Sequence, residues 1–362
     1  MREFKINQSM IGPGHPTYVI AEMSANHGQD LMKAREIVHA AKAAGADAIK
    51  LQTYTPDTMT LNCPQSHFQI GPGSIWEGRQ LYELYGEAHT PWDWHAELFQ
   101  LAQEIELDCF SSPFDRTAVD FLETLDPPCY KVASFELIDL PLIQYIAGQG
   151  KPIIISTGMG SPHEIAEAVG VVQKYEVPLC LLKCTSAYPA PPESMNLMTI
   201  PDLANRYDVM SGLSDHTLGT EVAVAAVALG ARIIEKHFTL DRNQPGPDSS
   251  FSLEPDEFKQ LVESIRTTEL ALGAVSYQRS KKEQASLKFR RSLFAVDDIE
   301  AGELFTLDNV RAIRPGNGLP PKHIENILGT PALCQLKKGT PLDWAHLTPE
   351  ASRGRNRADE PI

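Results

Sequence analysis

The stretch Gly212-Leu-Ser-Asp-His-Thr217 is followed, across an alanine-rich segment, by Ile233-Ile-Glu-Lys-His-Phe238. Each histidine comes after a short apolar run that predicts a buried strand, and residues 219–230 between the runs predict a helix. The carboxyl ends of neighbouring strands in a parallel barrel lie close together, on the face that carries active sites. We therefore expect His216 and His237 to share one divalent metal ion at the centre of a catalytic site.

An apolar run followed by polar residues and an amphipathic stretch occurs eight times along the chain. Eight strands close a (β/α)8 barrel of about 250 residues. The pattern therefore predicts an α/β fold whose main domain is a (β/α)8 TIM barrel rather than an open doubly wound sheet. The predicted strands cover residues 18–21, 48–51, 108–111, 130–134, 152–156, 179–184, 209–212 and 232–235.

Helix start and stop signals lie between these runs. Asp30 opens an amphipathic stretch that ends at Gly45. Ser161 is followed by proline and then by Glu164, which is the pattern of a capping box. Thr90 is also followed by proline, and this predicts another capped helix.

The pattern changes near residue 280, which divides the chain into four parts. Residues 1–280 are assigned to the barrel domain, and the charged residues 281–291 are interpreted as a linker. From residue 292 to 349, short strands and turns predict a small β domain that leans on another surface, because about 60 residues bury only a small core. The polar tail, residues 350–362, is predicted to be disordered.

One connection, residues 53–89, is too long for an ordinary βα loop. It contains four aromatic side chains, so it could be a lid or a dimer surface, and an insertion packed on the outside is equally compatible with the sequence. The aromatic residues are Phe68, Trp76, Tyr82 and Tyr85.

The overall charge restricts the class of partner. The chain has 32 lysines and arginines against 47 acidic residues, a net charge of −15, which argues against binding to nucleic acid or to anionic membranes. Its start is polar and no apolar run approaches the roughly 20 residues of a membrane span, so we expect a cytoplasmic protein. The six scattered cysteines are interpreted as small buried thiols.

Lysines interrupt four of the predicted strands. A buried lysine is costly unless it is paired, so several that point into one mouth would mark a phosphate or carboxylate site. If His237 points inward, alternation along the strand turns Lys236 outward. We therefore favour Lys50 and Lys131 as anion ligands over Lys183 and Lys236.

Every predicted strand ends in a hydroxyl, a charge or an imidazole, on the face where barrels carry out chemistry. His27, His89 and His95 have no such partners and are interpreted as structural. The strand-end residues are Glu22, Lys50, Gln52, Ser111, Ser112, Ser134, Glu136, Ser156, Thr157, Thr185, Ser186, Asp215, His216 and His237.

Taken together, these motifs resemble the sialic acid synthase family over nearly the whole chain. Arg314-Pro-Gly-Asn-Gly318 resembles the C-terminal antifreeze-like (SAF) module of that family, a β-clip fold. The motifs that carry the resemblance to the barrel are Ala21-Glu-Met-Ser-Ala-Asn-His27, Ile49-Lys-Leu-Gln-Thr53, Tyr130-Lys-Val-Ala-Ser-Phe-Glu136, Ser156-Thr-Gly158, Cys184-Thr-Ser-Ala-Tyr-Pro189, Gly212-Leu-Ser-Asp-His-Thr217, Glu235-Lys-His-Phe238 and Gly246-Pro-Asp248.

Within the family, the chain looks most like the pseudaminic acid synthase branch. It departs from the N-acetylneuraminate branch at Phe135 and Ser186, where that branch typically has glycine and asparagine. Serine offers fewer hydrogen bonds than asparagine, and phenylalanine adds apolar bulk, so both changes suit a less hydroxylated sugar. The resemblance thus implies 2,4-diacetamido-2,4,6-trideoxy-β-L-altropyranose rather than N-acetylmannosamine as the sugar.

The implied activity is that of a transferase which condenses phosphoenolpyruvate with the open-chain aldehyde of an acetamido sugar, releasing phosphate. His216 and His237 would hold Mn²⁺ or Mg²⁺, which polarises the aldehyde oxygen. Lys131 and Glu136 complete the expected catalytic set, with Glu136 as an acid or base. The residues expected to bind substrate are Glu22, Lys50, Ser112, Ser134, Ser156, Ser186, Tyr188, Ser214, Asp248 and Arg314.

The resemblance also implies a domain-swapped homodimer, in which the small module of one chain supplies Arg314 to the barrel of its partner. Three other functions stay open from the sequence. The first is an N-acetylneuraminate or legionaminic acid synthase acting on a related sugar. The second is a Schiff-base aldolase that uses Lys131 or Lys183 on pyruvate. The third is a non-enzymatic carbohydrate- or ice-binding protein that acts through the small module.

Overall fold

The computed structural model describes residues 3–73 and 75–349. Its contacts divide the chain into two compact units, with the boundary between Gly273 and Ala274. The sequence placed the end of the first domain at residue 280, and part of the predicted linker, 281–291, is a short helix. The predicted disordered tail, 350–362, lies outside the described residues.

The first unit begins with an antiparallel hairpin of two short strands, β1 (Phe4–Ile6) and β2 (Ser9–Ile11). Its apolar side chains are buried against residues that point into the barrel, among them Phe110 and Ile154. Beside this cluster, the Tyr18 hydroxyl donates to Asp108 over 2.6 Å. The hairpin therefore closes the end of the barrel at which the strands begin.

Eight parallel strands form a closed barrel, which confirms the predicted fold class. Around the barrel the order is β10, β3, β4, β5, β6, β7, β8 and β9. The strands are buried on both faces, as all-parallel strands covered by helices are. Their bounds are β3 Tyr18–Glu22, β4 Ala48–Thr53, β5 Asp108–Pro113, β6 Tyr130–Val132, β7 Ile153–Ser156, β8 Leu179–Cys184, β9 Met210–Asp215 and β10 Ile233–His237.

Helices cover the outside of the barrel and pack their apolar faces against the outward side chains of the strands. The α-helices are α1 Leu31–Ala43, α2 Pro56–Met59, α3 Leu81–Ala88, α4 Trp92–Glu104, α5 Arg116–Glu123, α6 Leu140–Ala147, α7 Pro162–Gln173, α8 Thr199–Tyr207, α9 Glu221–Ala228 and α10 Pro255–Leu272. Short 3-10 helices lie at Ser24–His27, Ser66–Phe68, Ser134–Ile138, Pro192–Ser194 and Ser249–Phe251.

Two of the three predicted helix starts are confirmed. Asp30 accepts hydrogen bonds from the first turn of α1, and Ser161 forms the predicted capping box with Glu164. Thr90 is wrong as a cap, because α4 begins at Trp92 and has no side-chain cap. The Thr90 hydroxyl is instead buried and lies 3.3 Å from Nε2 of His27.

Alternation along β10 separates two kinds of buried charge. Lys236 points away from the barrel interior and donates to Asp215 over 2.6 Å and to the Thr217 carbonyl over 2.6 Å. Gly212 lets β9 approach β10 at this point, because a Cβ atom there would lie 2.2 Å from the Ile233 oxygen. Glu235 and His237, on either side of Lys236, face the other way and line the mouth of the barrel.

The second unit is a small β fold. Strands β11 (Ser292–Ala295) and β12 (Val310–Ile313) pair antiparallel, and α11 (Lys281–Ser286) and α12 (Ile324–Ile327) are short helices. Further 3-10 helices lie at Leu287–Phe289, Pro321–His323 and Trp344–His346. Leu293, Phe305, Val310, Leu342 and Trp344 belong to its own core.

None of the helices in the described ranges combines the length and the apolar character that a bilayer crossing requires.

Replacing Lys236 by methionine tests the buried pair with Asp215. Removing one member of such a pair leaves the other charge without a partner, at a cost of about 3–5 kcal/mol. We expect Lys236→Met to lower the free energy of unfolding, measured by urea titration, by that amount. Arg206→Met breaks an exposed pair with Asp202 in the same unit and should shift the urea midpoint far less. Equal shifts in the two variants would contradict this prediction.

Candidate active site

A cavity of about 630 Å³ opens at the carboxyl end of the barrel strands. Its volume is typical of sites for small molecules, which span about 300–1,000 Å³. Most of the predicted site residues line it together, although they come from six strands and the loops that follow the strands. These residues are Glu22, Lys50, Lys131, Ser134, Glu136, Ser156, Tyr188, Ser214, His216, His237 and Asp248.

The floor of the cavity is a row of buried charges. Nζ of Lys50 lies 3.0 Å from Oε2 of Glu22 and 3.4 Å from Oε2 of Glu235. Nζ of Lys131 lies 3.3 Å from the other oxygen of Glu235, and the Ser214 hydroxyl donates to that same oxygen over 2.9 Å. One carboxylate is therefore shared by two buried ammonium groups, which offsets part of the cost of taking three charges out of water.

The two carboxyl groups of this row differ in charge. Burial alone would raise the pKa of Glu235, but Lys131 and Lys50 outweigh it and lower this pKa to about 2. For Glu22, burial is the larger effect and raises its pKa to about 7 against the opposing charge of Lys50. Near neutral pH, Glu235 is thus ionised while Glu22 is partly protonated. Burial alone would lower the pKa of Lys50, but Glu22 and Glu235 outweigh it and raise this pKa, whereas burial lowers the pKa of Lys131. The floor thus presents two buried lysine side chains that can donate to an anion.

The two predicted imidazoles lie side by side, with ring centroids 5.3 Å apart. Nδ1 of His216 donates to the Thr185 carbonyl over 3.0 Å. Since a carbonyl can only accept, the neutral form of His216 carries its lone pair on Nε2. Burial alone would lower the pKa of His216, but Cys184 and the Thr185 carbonyl outweigh it and raise this pKa, so the neutral ring is the form present above that pKa. Burial lowers the pKa of His237 well below its ordinary value, so His237 is neutral.

These imidazoles fit a metal ion in an open site. Nδ1 of His237 is buried and has no hydrogen-bond partner in the described part of the chain. Residues 3–73 and 75–349 contain no cluster of three or more His, Cys, Asp or Glu side chains arranged to hold a metal. Two protein ligands leave positions for water and substrate, as catalytic sites require.

Glu136 faces the cavity from the 3-10 helix Ser134–Ile138. Burial raises its pKa to about 7. Its Oε2 atom is buried and makes no hydrogen bond to the residues that the structure describes. A carboxyl group with these properties can accept or release a proton near neutral pH.

Gly158 brings two predicted serines together. The Ser134 hydroxyl accepts from the Gly158 amide over 3.1 Å. A Cβ atom on Gly158 would lie 2.3 Å from the Ser186 hydroxyl and 2.7 Å from that of Ser134. The absence of a side chain at Gly158 thus lets the two hydroxyls lie close to its Cα atom, and one of them bonds its amide.

Several candidate residues lie outside the cavity lining. Ser112 is behind Lys50 and accepts from its Nζ over 3.3 Å, and Ser186 lies 3.9 Å from the Cys184 sulphur. Lys183 turns back to the Cys184 carbonyl over 2.7 Å. Arg314 belongs to the second unit, where it is exposed.

Sequence reasoning missed Glu235 and Cys184. Alternation could have found Glu235, because it lies two residues before His237 and so points to the same side of β10. Burial alone would raise the pKa of the Cys184 thiol, but His216 and its polar neighbours lower it to about 7. The six cysteines are free thiols, but the expectation that they are buried holds for four of them only, because Cys63 is half-buried and Cys334 is exposed.

The long connection, 53–89, forms part of the cavity wall. Tyr54, Ile70 and Leu84 line the cavity. The Trp76 indole also lines it, and its Nε1 donates to the Pro247 carbonyl over 3.0 Å. Of the two interpretations of this segment, the contact with the cavity favours a lid over an insertion packed on the outside.

Comparison with known proteins identifies relatives of most of the chain. Residues 37–277 match the NeuB family, and residues 290–348 match the SAF domain. A pseudaminic acid synthase of Helicobacter pylori is 46% identical over 329 residues, which cover 90% of this chain and 96% of that protein. A pseudaminic acid synthase of Campylobacter jejuni is 46% identical over 326 residues, which cover 90% of this chain and 95% of the relative.

A solved structure agrees with these matches. The N-acetylneuraminic acid (sialic acid) synthetase of Leptospira borgpetersenii, in complex with citrate, superposes with a TM-score of 0.71 at 31% identity. The match covers 79% of this chain and 95% of that one. The resemblance seen in the sequence motifs is therefore confirmed, and the chain belongs to the NeuB family of synthases, with a SAF domain following its barrel.

Proposed function

We propose that this chain condenses phosphoenolpyruvate with 2,4-diacetamido-2,4,6-trideoxy-β-L-altropyranose and water to give pseudaminic acid and phosphate. The two relatives at 46% identity bear the name of this activity. The observation that carries the proposal is the pair of buried lysines, Lys50 and Lys131, beside two imidazoles in one cavity. An anion and a carbonyl compound can be held there together.

Phosphoenolpyruvate binds at the floor of the cavity. Lys50 and Lys131 pair with its phosphate and carboxylate groups, in a site where burial strengthens each charge–charge contact. The hydroxyls of Ser134 and Ser156, which line the cavity, donate to the remaining oxygens, and the Ser186 hydroxyl lies near that of Ser134 beside Gly158. The Ser156 hydroxyl supports this role, because it is buried without a hydrogen-bond partner in the described structure.

The new bond forms between carbon 3 of phosphoenolpyruvate and the aldehyde carbon of the open-chain sugar, while the aldehyde oxygen gains a proton. Positive charge develops at carbon 2, where water adds. Glu136, as a carboxylate, accepts the proton that this water gives up. The tetrahedral intermediate then expels phosphate as its carbon–oxygen bond breaks, its hydroxyl proton passes to the departing phosphate, and the 2-keto acid remains. The proton that Glu136 took from the water offsets the one gained by the aldehyde oxygen, so one hydrogen of the water ends on the sugar and the other on phosphate.

His216 and His237 would hold the divalent ion, Mn²⁺ or Mg²⁺. When bound, the ion supplies Lewis-acid polarisation of the aldehyde oxygen. The chain contributes the orientation of His216, through its hydrogen bond to the Thr185 carbonyl, and a neutral His237. Tyr188 packs on both imidazoles, with ring centroids 4.3 Å and 6.3 Å away, and restricts their movement.

Polar groups on the wall and floor of the cavity orient the sugar. The carboxyl group of Asp248 is buried and accepts from the Ser24 hydroxyl, and Glu22 accepts from the Gln52 amide over 2.9 Å. Each has a further oxygen lone pair for a sugar hydroxyl or amide. Ser214 acts indirectly, by holding Glu235.

We propose further that the chain works as a domain-swapped homodimer, in which Arg314 of one subunit contacts the sugar in the partner's barrel. Arg314 is exposed in its own unit and follows directly after β12.

We also place the protein in the cytoplasm, because buried thiols such as Cys109 and Cys180 stay free in a reducing compartment.

Phosphate release tests the reaction. We expect phosphoenolpyruvate and the 6-deoxy diacetamido sugar to release phosphate together, and N-acetylmannosamine to support a much lower rate. A chelator should stop the release, and added Mn²⁺ or Mg²⁺ should restore it. In His216→Ala and His237→Ala, the rate of phosphate release should change neither with the chelator nor with the added metal ion. Equal rates with the two sugars would point to a neuraminate synthase. Trapping of pyruvate on Lys131 by borohydride would point to an aldolase.

The role of Glu136 predicts a pH dependence. As the general base it must be ionised, so kcat of the parent enzyme should fall as the pH is lowered through about 7. Glu136→Gln should lower kcat by about 10²- to 10⁴-fold. The exposed Glu193→Gln is a matched control and should keep the parent rate. A Glu136→Gln enzyme with parental kcat would exclude this role.

Mixed dimers test Arg314. Arg314→Ala should lower kcat/KM for the sugar by about 10- to 100-fold, the effect of losing a charged hydrogen bond, with KM for phosphoenolpyruvate unchanged. The control, Arg311→Ala, removes another exposed arginine and should have no such effect. Mixing His216→Ala with Arg314→Ala subunits should restore activity, because one barrel then has its own histidine and the partner's arginine. No restoration in proven mixed dimers would overturn the swapped arrangement.

A further inference from the structure

One side of the cavity is apolar. Aromatic residues follow directly or closely after three neighbouring strands, at Tyr54 after β4, Phe114 after β5 and Phe135 after β6, and each of them lines the cavity. The rings of Tyr54 and Phe114 meet edge to face, with centroids 5.1 Å apart. This contact fixes the position of the Phe114 ring.

The apolar side lies across the mouth from the imidazoles. In the closed order of the strands, β5 and β9 are four positions apart, and so are β6 and β10. In a ring of eight, four positions is the opposite side. His216 directly follows β9, and His237 ends β10. Phe114 and Phe135 therefore follow the strands opposite those that carry the two imidazoles.

The exposed surface of Phe135 belongs to the cavity. Its side chain is 60% exposed and lines the cavity, whereas Ile138, in the same 3-10 helix, is 64% exposed and does not line it. Single exposed apolar residues are common and need no explanation. The location of Phe135, rather than its exposure, indicates a ligand contact.

The two ends of an open-chain hexose must then meet different surroundings. This step rests on the proposed function, in which carbon 1 reacts beside His216 and His237. Carbon 6 is the other end of the chain and extends toward Phe114 and Phe135. A methyl group there gains from leaving water, whereas a hydroxyl group finds no hydrogen-bond partner on either phenylalanine ring.

We propose that Phe114 and Phe135 form an end wall that receives the methyl group at carbon 6 and so selects 6-deoxy sugars over their 6-hydroxy counterparts. The selection is graded rather than absolute. An apolar pocket discriminates against an added hydroxyl by at most about 10²-fold. The two phenylalanines are specificity residues and take no part in the bond-forming steps.

The test compares two sugars that differ by one oxygen atom, the 2,4-diacetamido-2,4,6-trideoxy sugar and its 6-hydroxy analogue. For the parent protein we expect kcat/KM, from phosphate release, to favour the 6-deoxy sugar by about 10- to 100-fold. Phe135→Ser and Phe114→Ser should each reduce this ratio to within about threefold of unity, since a seryl hydroxyl can pair with the added oxygen. Ile138→Ser is the matched control and should keep the parental ratio.

Binding of the corresponding alditols, measured by calorimetry, provides a second readout that needs no turnover. The same order of preference is expected in Kd, with the same loss in the two phenylalanine variants. Circular dichroism and thermal melting check that the variants are folded, and the high exposure of Phe135 makes its replacement the safer of the two. Parental ratios in both folded variants would overturn the end wall and leave the proposed synthase intact. A parent protein that released no phosphate with either sugar would overturn both.

Discussion

The carboxylate of Glu235, shared between Lys50 and Lys131, is the interaction on which the rest of the site depends. Two lysines that point into one barrel repel each other and lose their hydration, and neither would stay charged there without a counter-ion. Glu235 supplies a single negative charge to both, with one oxygen for each ammonium group. The lysine side chains held in this way can then receive an anion at the floor.

The geometry of β10 explains why one short strand can serve both stability and chemistry. Successive side chains of a strand point to opposite sides. Glu235 and His237 line the cavity, while Lys236 is turned outward and paired with Asp215. Two buried ammonium–carboxylate systems thus lie on opposite sides of the same backbone and do not compete for partners.

Much of this arrangement could be predicted from the sequence. The eight strands follow from apolar runs with polar ends, and the outward direction of Lys236 follows from alternation alone.

The cavity lining was predicted less completely. Glu235 was overlooked because it lies inside an apolar run, where a carboxylate is stable only if lysines from other strands reach it. Thr90 was misassigned as a helix cap. Its local sequence pattern is that of a cap, but its hydroxyl contacts His27 instead of the first turn of α4. The wall formed by residues 53–89 has no periodic signal, since it is built from tertiary contacts of single aromatic residues.

The hairpin of β1 and β2 affects the order in which molecules can enter and leave the cavity. Its buried residues fill the end at which the strands begin, so in the described part of the chain the cavity opens to solvent at the carboxyl end of the strands. Whatever occupies the deepest position must enter first, and it leaves only after the molecule nearer the opening has gone or moved aside. In the proposed reaction, phosphoenolpyruvate on the lysines would be the deeper of the two substrates, and the larger sugar would stand between it and the solvent. A tunnel open at both ends would impose no such order of binding and release.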